Sequence, residues 1–146
     1  MTADAAAVVG ISRLDDHVLL ADAGLAMAMV TAGAQRLVDL RGETRPPGLP
    51  VPIDHYPIMD LEPGQDELIL DAARHVAGLV GSGLSVGVYC QAGISRTSTV
   101  AIAYLMLGGM PLALASQTLR AVRPQAMPAV ELWGSLERIE VQLGGQ

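Results

Sequence analysis

One segment, residues 84–107, constrains the fold of this chain more than any other. An apolar run, Leu84-Ser-Val-Gly-Val-Tyr89, ends on the only cysteine, Cys90, and Arg96 follows six residues later. The apolar run predicts a buried strand, and Thr97 to Leu107 (TSTVAIAYLML) predicts an apolar helix that begins where the intervening loop ends. A strand that feeds a helix through so short a curl turns the loop N–H groups and the free N–H groups of the first helical turn toward one point. Such a point binds a dianion.

The residue types inside the curl fit that chemistry. Gly93 stands mid-loop, where a tight anion-facing turn needs positive φ or close backbone approach. Arg96 supplies a planar, permanently charged fork able to grip two phosphate oxygens in parallel. The same positive surroundings favour thiolate over thiol at Cys90, which makes it a candidate nucleophile.

With these residues in view, CQAGISRTS resembles the signature of the cysteine-dependent protein tyrosine phosphatase superfamily, Cys-x5-Arg followed by Ser or Thr. The Ala-Gly-x-Ser-Arg version is most similar to the dual-specificity branch. Gln35-Arg-Leu-Val-Asp-Leu-Arg-Gly-Glu43 resembles the family's early strand, and Tyr56-Pro-Ile-Met-Asp60 its acid-bearing strand and loop. Thr99 to Met106 resembles the helix after the loop, and Val122-Arg-Pro124 with Pro128 the C-terminal helical region. The likeness runs from about Val9 to Glu140.

The resemblance implies an α/β fold: a central mixed, mostly parallel sheet flanked by helices, with the phosphate loop between a central strand and a helix. It implies one catalytic domain over residues 1–146 and hydrolysis of phosphotyrosine through a cysteinyl-phosphate, with phosphoserine and phosphothreonine as further substrates. Cys90 would attack phosphorus; Gln91, Ala92, Gly93, Ile94, Ser95 and Arg96 would hold the phosphate. Asp60, thirty residues before Cys90, would protonate the leaving oxygen and later activate water. Asp54 and Asp66 are rival carboxylates, and capping the helix after Pro63 is the competing role for Asp60. Thr97 would stabilise the departing thiolate. No metal or organic cofactor is expected.

One position departs from the family. Where it usually has His directly before the cysteine, this chain has Tyr89, a phenol that brings no positive charge at pH 7. The alternative to an active enzyme is therefore a catalytically weak or inactive phosphate-binding pseudophosphatase. Sulfurtransferases and arsenate reductases also present a loop cysteine to an anion. The former usually have a shorter loop and the latter generally need more cysteines.

Charge narrows the partners. No extra charge stands among Gln91, Ala92, Ile94 and Ser95, which suits a phosphomonoester on a protein side chain better than a polyanionic head group. A net charge of −6 disfavours nucleic acid and anionic membranes. The lone cysteine excludes an internal disulfide, and neither a membrane span nor a signal peptide is legible, so a cytoplasmic location is expected. Lys, Asn and Phe are absent. That bias points to a GC-rich, bacterial genome.

The remaining elements follow from periodicity. Ala7 to Ile11 and His17 to Leu20 predict a hairpin turned at Asp15-Asp16, followed by a helix over Leu25 to Val30 and a strand over Arg36 to Leu40. Four prolines make Arg41 to Pro52 a loop. A strand at 53–58 and helices at 66–80, 111–122 and 129–143 complete the order. Arg41 and Arg45 are read as solvated rather than substrate-binding, and the three histidines as structural. Trp133 is read as a core contact, and Ser95 and Ser98 as hydrogen-bonding the loop backbone.

Overall fold

Strand β5 (Val86–Cys90) is buried at every position, as a continuous apolar run between two covered sheet faces requires. It occupies the middle of a five-stranded sheet in the computed structural model, which describes residues 8–144. Strands β1 (Ser12–Arg13), β2 (Val18–Asp22), β3 (Arg36–Arg41) and β4 (Ile53–Ile58) complete it in the order β1-β2-β5-β3-β4. Only the β1–β2 pair is antiparallel. The mixed, mostly parallel sheet expected from sequence is thus observed.

A 3₁₀ turn (Ala23–Leu25) leads into α1 (Ala26–Thr31), and helices α2 (Asp66–Gly81), α3 (Arg96–Leu107), α4 (Leu112–Val122) and α5 (Val130–Gly144) follow. Successive strand residues point to opposite faces, so the core divides in two. Leu20, Val38, Val88 and Cys90 pack toward α2 to α5, whereas Leu19, Leu37 and Tyr89 pack toward α1. Helix α3 is almost entirely buried, and after its polar first turn it is apolar nearly all round. On the α1 face, a Cβ at Gly87 would lie 2.7 Å from Leu37 and 3.0 Å from Met29. The missing side chain lets α1 settle onto β5.

The first hairpin differs from expectation. Its first strand is the polar pair Ser12–Arg13, while Ile11 precedes it as part of the α1-side core. Ala7 lies outside the described residues. Strand β5 starts at Val86 rather than Leu84, and β3 runs on to Arg41. The parallel strands β2, β3, β4 and β5 all end on the same edge of the sheet, where open α/β sheets place their ligand sites.

Candidate active site

Cys90 is the last residue of β5 and is 2% exposed. The fully buried Thr97, in the first turn of α3, donates its hydroxyl to Sγ at 3.0 Å. Between them the loop backbone is fixed from outside. Ala23 N–H reaches the Gln91 carbonyl at 3.4 Å, Arg123 Nε–H the Gly93 carbonyl at 2.9 Å, and Met127 N–H the Ile94 carbonyl at 3.3 Å. Ser98 also donates its hydroxyl to the Ile94 carbonyl. In a trans peptide C=O and N–H point opposite ways, so each carbonyl held outward turns the next N–H inward. The N–H groups of Ala92, Ile94 and Ser95 are aimed in this way beside the open start of α3.

Gly93 has φ +68, and a Cβ there would lie 2.6 Å from Arg123 Nη2 and 2.7 Å from the Ala21 carbonyl oxygen. Both conformation and space exclude a side chain. The glycine predicted from loop geometry is required on two counts.

Arg96 is held in a fork. Glu43 takes Nη1 and Nη2 at 2.5 and 2.9 Å, and the Ile58 carbonyl takes Nη1 at 3.1 Å. The guanidinium holds the Glu43 carboxyl well below its usual range, down to about 2. Glu43 is on the rim, 44% exposed, whereas the Arg96 side chain is 7% exposed.

The three carboxylates separate cleanly. Asp54 is bound to Arg36 and to His75, each at 2.7 Å, and Asp66 to Arg138 at 2.7 Å. Asp60 alone joins the loop, accepting from the Ser95 hydroxyl at 2.8 Å. Ser95 Oγ also accepts from Ala129 N–H at 2.9 Å, which ties the Asp60 loop and the entry to α5 to the loop after Cys90. Ser95 thus bonds Asp60 and Ala129 rather than the loop backbone expected from sequence; Ser98 behaves as expected.

The Asp60 loop has its own scaffold. The Gln65 side chain receives a bond from Met59 N–H and donates to the carbonyls of Met59 and Glu62. Leu61, at φ 64, makes the left-handed turn directly after Asp60. Position Gln65, not Asp60, precedes α2, so the helix-cap alternative does not hold.

Tyr89 points to the other face. Its hydroxyl donates to the buried Asp39 at 2.8 Å, and Asp39 is its register partner across β3 and β5. Arg41 grips the same carboxylate through Nε and Nη2 at 3.1 and 2.9 Å and donates from Nη1 to the Gln91 side chain at 3.2 Å. Desolvation and the bond to Asp39 raise the Tyr89 phenol, so it stays neutral. Arg41 is therefore ion-paired to Asp39 rather than solvated, a correction to the expectation from sequence.

Cys90, Thr97, Asp60 and the loop from Gln91 to Arg96 lie together as expected, whereas Glu43, Asp39 and Arg123, which bond to this region, were not expected there. A carboxylate shortly after Arg41 was the only local signal for Glu43. His75 and His55 have structural partners, Asp54 and the Arg41 carbonyl, and Trp133 packs against the core. No cluster of His, Cys, Asp and Glu among the described residues could hold a metal ion, and no helix there is long and apolar enough to cross a membrane.

Known proteins carry the same arrangement of chain. Residues 55–142 match the family model for the dual specificity phosphatase catalytic domain. Dual specificity phosphatase 28 of Homo sapiens is 30% identical over 128 residues, covering 85% of this chain and 72% of that protein. A mouse dual specificity phosphatase crystallised with zinc tungstate superposes at TM-score 0.86 and 28% identity, covering 96% of this chain and 92% of that one. Human dual specificity phosphatase 28 superposes at 0.84 and 26%, covering 94% and 97%. This chain belongs to the dual specificity phosphatase family of protein phosphatases.

Proposed function

We propose that the chain, as a single catalytic domain, is an active cytoplasmic phosphatase that hydrolyses phosphotyrosine, and secondarily phosphoserine and phosphothreonine, on protein substrates. Asp60 carries the reading: of three candidate carboxylates it alone is bonded to the loop that follows Cys90. The family membership supports phosphoproteins as substrates.

In the first step the Cys90 thiolate attacks phosphorus and the P–O bond to the leaving group breaks. Asp60 delivers its proton to the departing oxygen, leaving a cysteinyl-phosphate and an aspartate. In the second step a water attacks phosphorus, its proton passes to Asp60, and the S–P bond breaks to release phosphate and thiolate. Thr97, 3.0 Å from Sγ, donates a hydrogen bond to the sulfur as it leaves.

Charge on the equatorial oxygens meets the inward N–H groups of Ala92, Ile94 and Ser95 and the Arg96 guanidinium. Glu43 takes Nη1 and Nη2 and the Ile58 carbonyl takes Nη1, which leaves the Nε edge of the guanidinium for the anion. The test is hydrolysis of p-nitrophenyl phosphate from pH 5 to 8 by wild type, Cys90→Ser and Asp60→Ala. Loss of turnover in the first variant and a fall of roughly 10² or more in the second fit the proposal. A folded wild type that binds vanadate but turns nothing over would instead mark a pseudophosphatase, the reading that Tyr89 favours.

A further inference from the structure

Arg123 is 2% exposed and makes no ion pair among the described residues. Its donors go to neutral oxygens. Nε binds the Gly93 carbonyl at 2.9 Å, and Nη1 binds Ser12 Oγ at 2.9 Å and the Gly10 carbonyl at 3.1 Å, with the Leu20 carbonyl at 3.5 Å. Burial pushes the guanidinium down from its ordinary value, and its electrostatic attraction to Cys90 and Asp22 acts against that. A buried charge without a carboxylate partner is costly, so its position behind the loop calls for a physical reason.

Gly93 supplies one. A glycine at φ +68 has both signs of φ open to it, so the peptide linking it to Ile94 can rotate more freely than its neighbours. Rotation would turn the Gly93 oxygen toward the phosphate and the Ile94 N–H away, exchanging a favourable dipole for a repulsive one. Among the described residues, Arg123 is the one donor that holds this oxygen outward. Its other bonds anchor the guanidinium to the β1 edge and to β2, so the clamp is itself fixed.

We propose that Arg123 is a positioning residue for phosphate binding: it clamps the Gly93 carbonyl outward so that the Ile94 N–H faces the phosphate oxygens. The proposal rests on the phosphate-binding reading of the loop. It places a second guanidinium behind the loop, acting through the backbone, opposite in role to Arg96, which touches the anion.

The test uses the whole chain as Arg123→Ala and Arg123→Met, the latter filling the space without a donor. Melting temperature, vanadate affinity by calorimetry, and kcat and KM for p-nitrophenyl phosphate are measured with and without guanidinium ion far below denaturing concentration. The folded variants should lose on the order of 100-fold in kcat, as for one oxyanion donor, with a parallel loss of vanadate affinity. Guanidinium should restore both in Arg123→Ala but not in Arg123→Met. Folded variants with wild-type vanadate affinity would overturn the proposal, and so would failure of both variants to fold even with vanadate present, which would assign Arg123 to the fold alone. If wild type binds vanadate without turnover, the phosphatase reading fails while the affinity comparison still judges Arg123.

Discussion

Cys90 and Tyr89 are neighbours in one strand, yet their side chains leave it on opposite faces and enter opposite surroundings. Cys90 faces Thr97 and the cradle that Arg96 and Arg123 support from two sides. Tyr89 faces α1, where a buried carboxylate, Asp39, receives its hydroxyl and an Arg41 fork. The difference teaches that a side chain at position 89 cannot deliver charge directly to Sγ. Its influence travels through Asp39 and Arg41 to Gln91, at the entry of the loop.

The largest effect should come from the Cys90 face. Arg96→Lys keeps one charge but loses the planar fork, and kcat should fall by roughly 10²–10³. A mere few-fold loss would mean that the loop N–H groups alone hold the anion and would erase the contrast between the faces.

Glu43→Gln probes the same face from the rim. With the fork left unanchored, KM should rise by about tenfold, on the scale of a single charge-assisted contact. The carboxyl is depressed in the folded state, so its contribution to stability is present above the unfolded value near 4.5 and is lost as pH falls through about 2. Urea titrations of wild type and Glu43→Gln should therefore differ at pH 6 and converge toward pH 2; because Glu43 is exposed, the difference at pH 6 should be small. A gap that widened on acidification would contradict the ion pair.

The smallest catalytic effect belongs to the other face. Tyr89→Phe removes one of the donors to Asp39 and should cost about 1 kcal/mol of stability, read as a urea midpoint, while kcat changes by less than about tenfold. Because the Tyr89, Tyr104 and Tyr56 phenols are all raised, tyrosinate absorbance should develop only above about pH 10 in the folded protein. Stability should then fall as pH rises past that value, since the folded state retains protons that the unfolded chain gives up. Tyr89→Phe abolishing turnover without loss of stability would show the two faces to be one machine.

What was legible in the sequence was local. The strand, curl and helix around Cys90 lie within two dozen residues, and apolar period plus loop composition describe them well. The partners that hold the site are remote: Glu43 is 53 residues from Arg96, Asp39 is 50 from Tyr89, and Arg123 is 30 from Gly93. No periodicity reports such pairs, because strand order in the folded sheet decides them. The resemblance placed Asp60 near the site, but its distinction from Asp54 and Asp66 rests on ion pairs that only the assembled β3, β4, α2 and α5 reveal. The first hairpin strand was expected at Ala7 to Ile11 and lies at Ser12–Arg13, because two polar residues carry no alternation and their pairing with Leu19 and Leu20 is a matter of register.

The most direct test of the central claim is to look for the covalent intermediate. Asp60→Ala, slowed in the hydrolysis of the cysteinyl-phosphate, is mixed with an aryl phosphate, quenched in acid within milliseconds, digested and examined by mass spectrometry. The account expects phosphate on the peptide containing Cys90, absent in the Cys90→Ser, Asp60→Ala double variant. Turnover by wild type with phosphate on some other residue, or no phosphorylated peptide while the aryl alcohol is released in a burst, would contradict it.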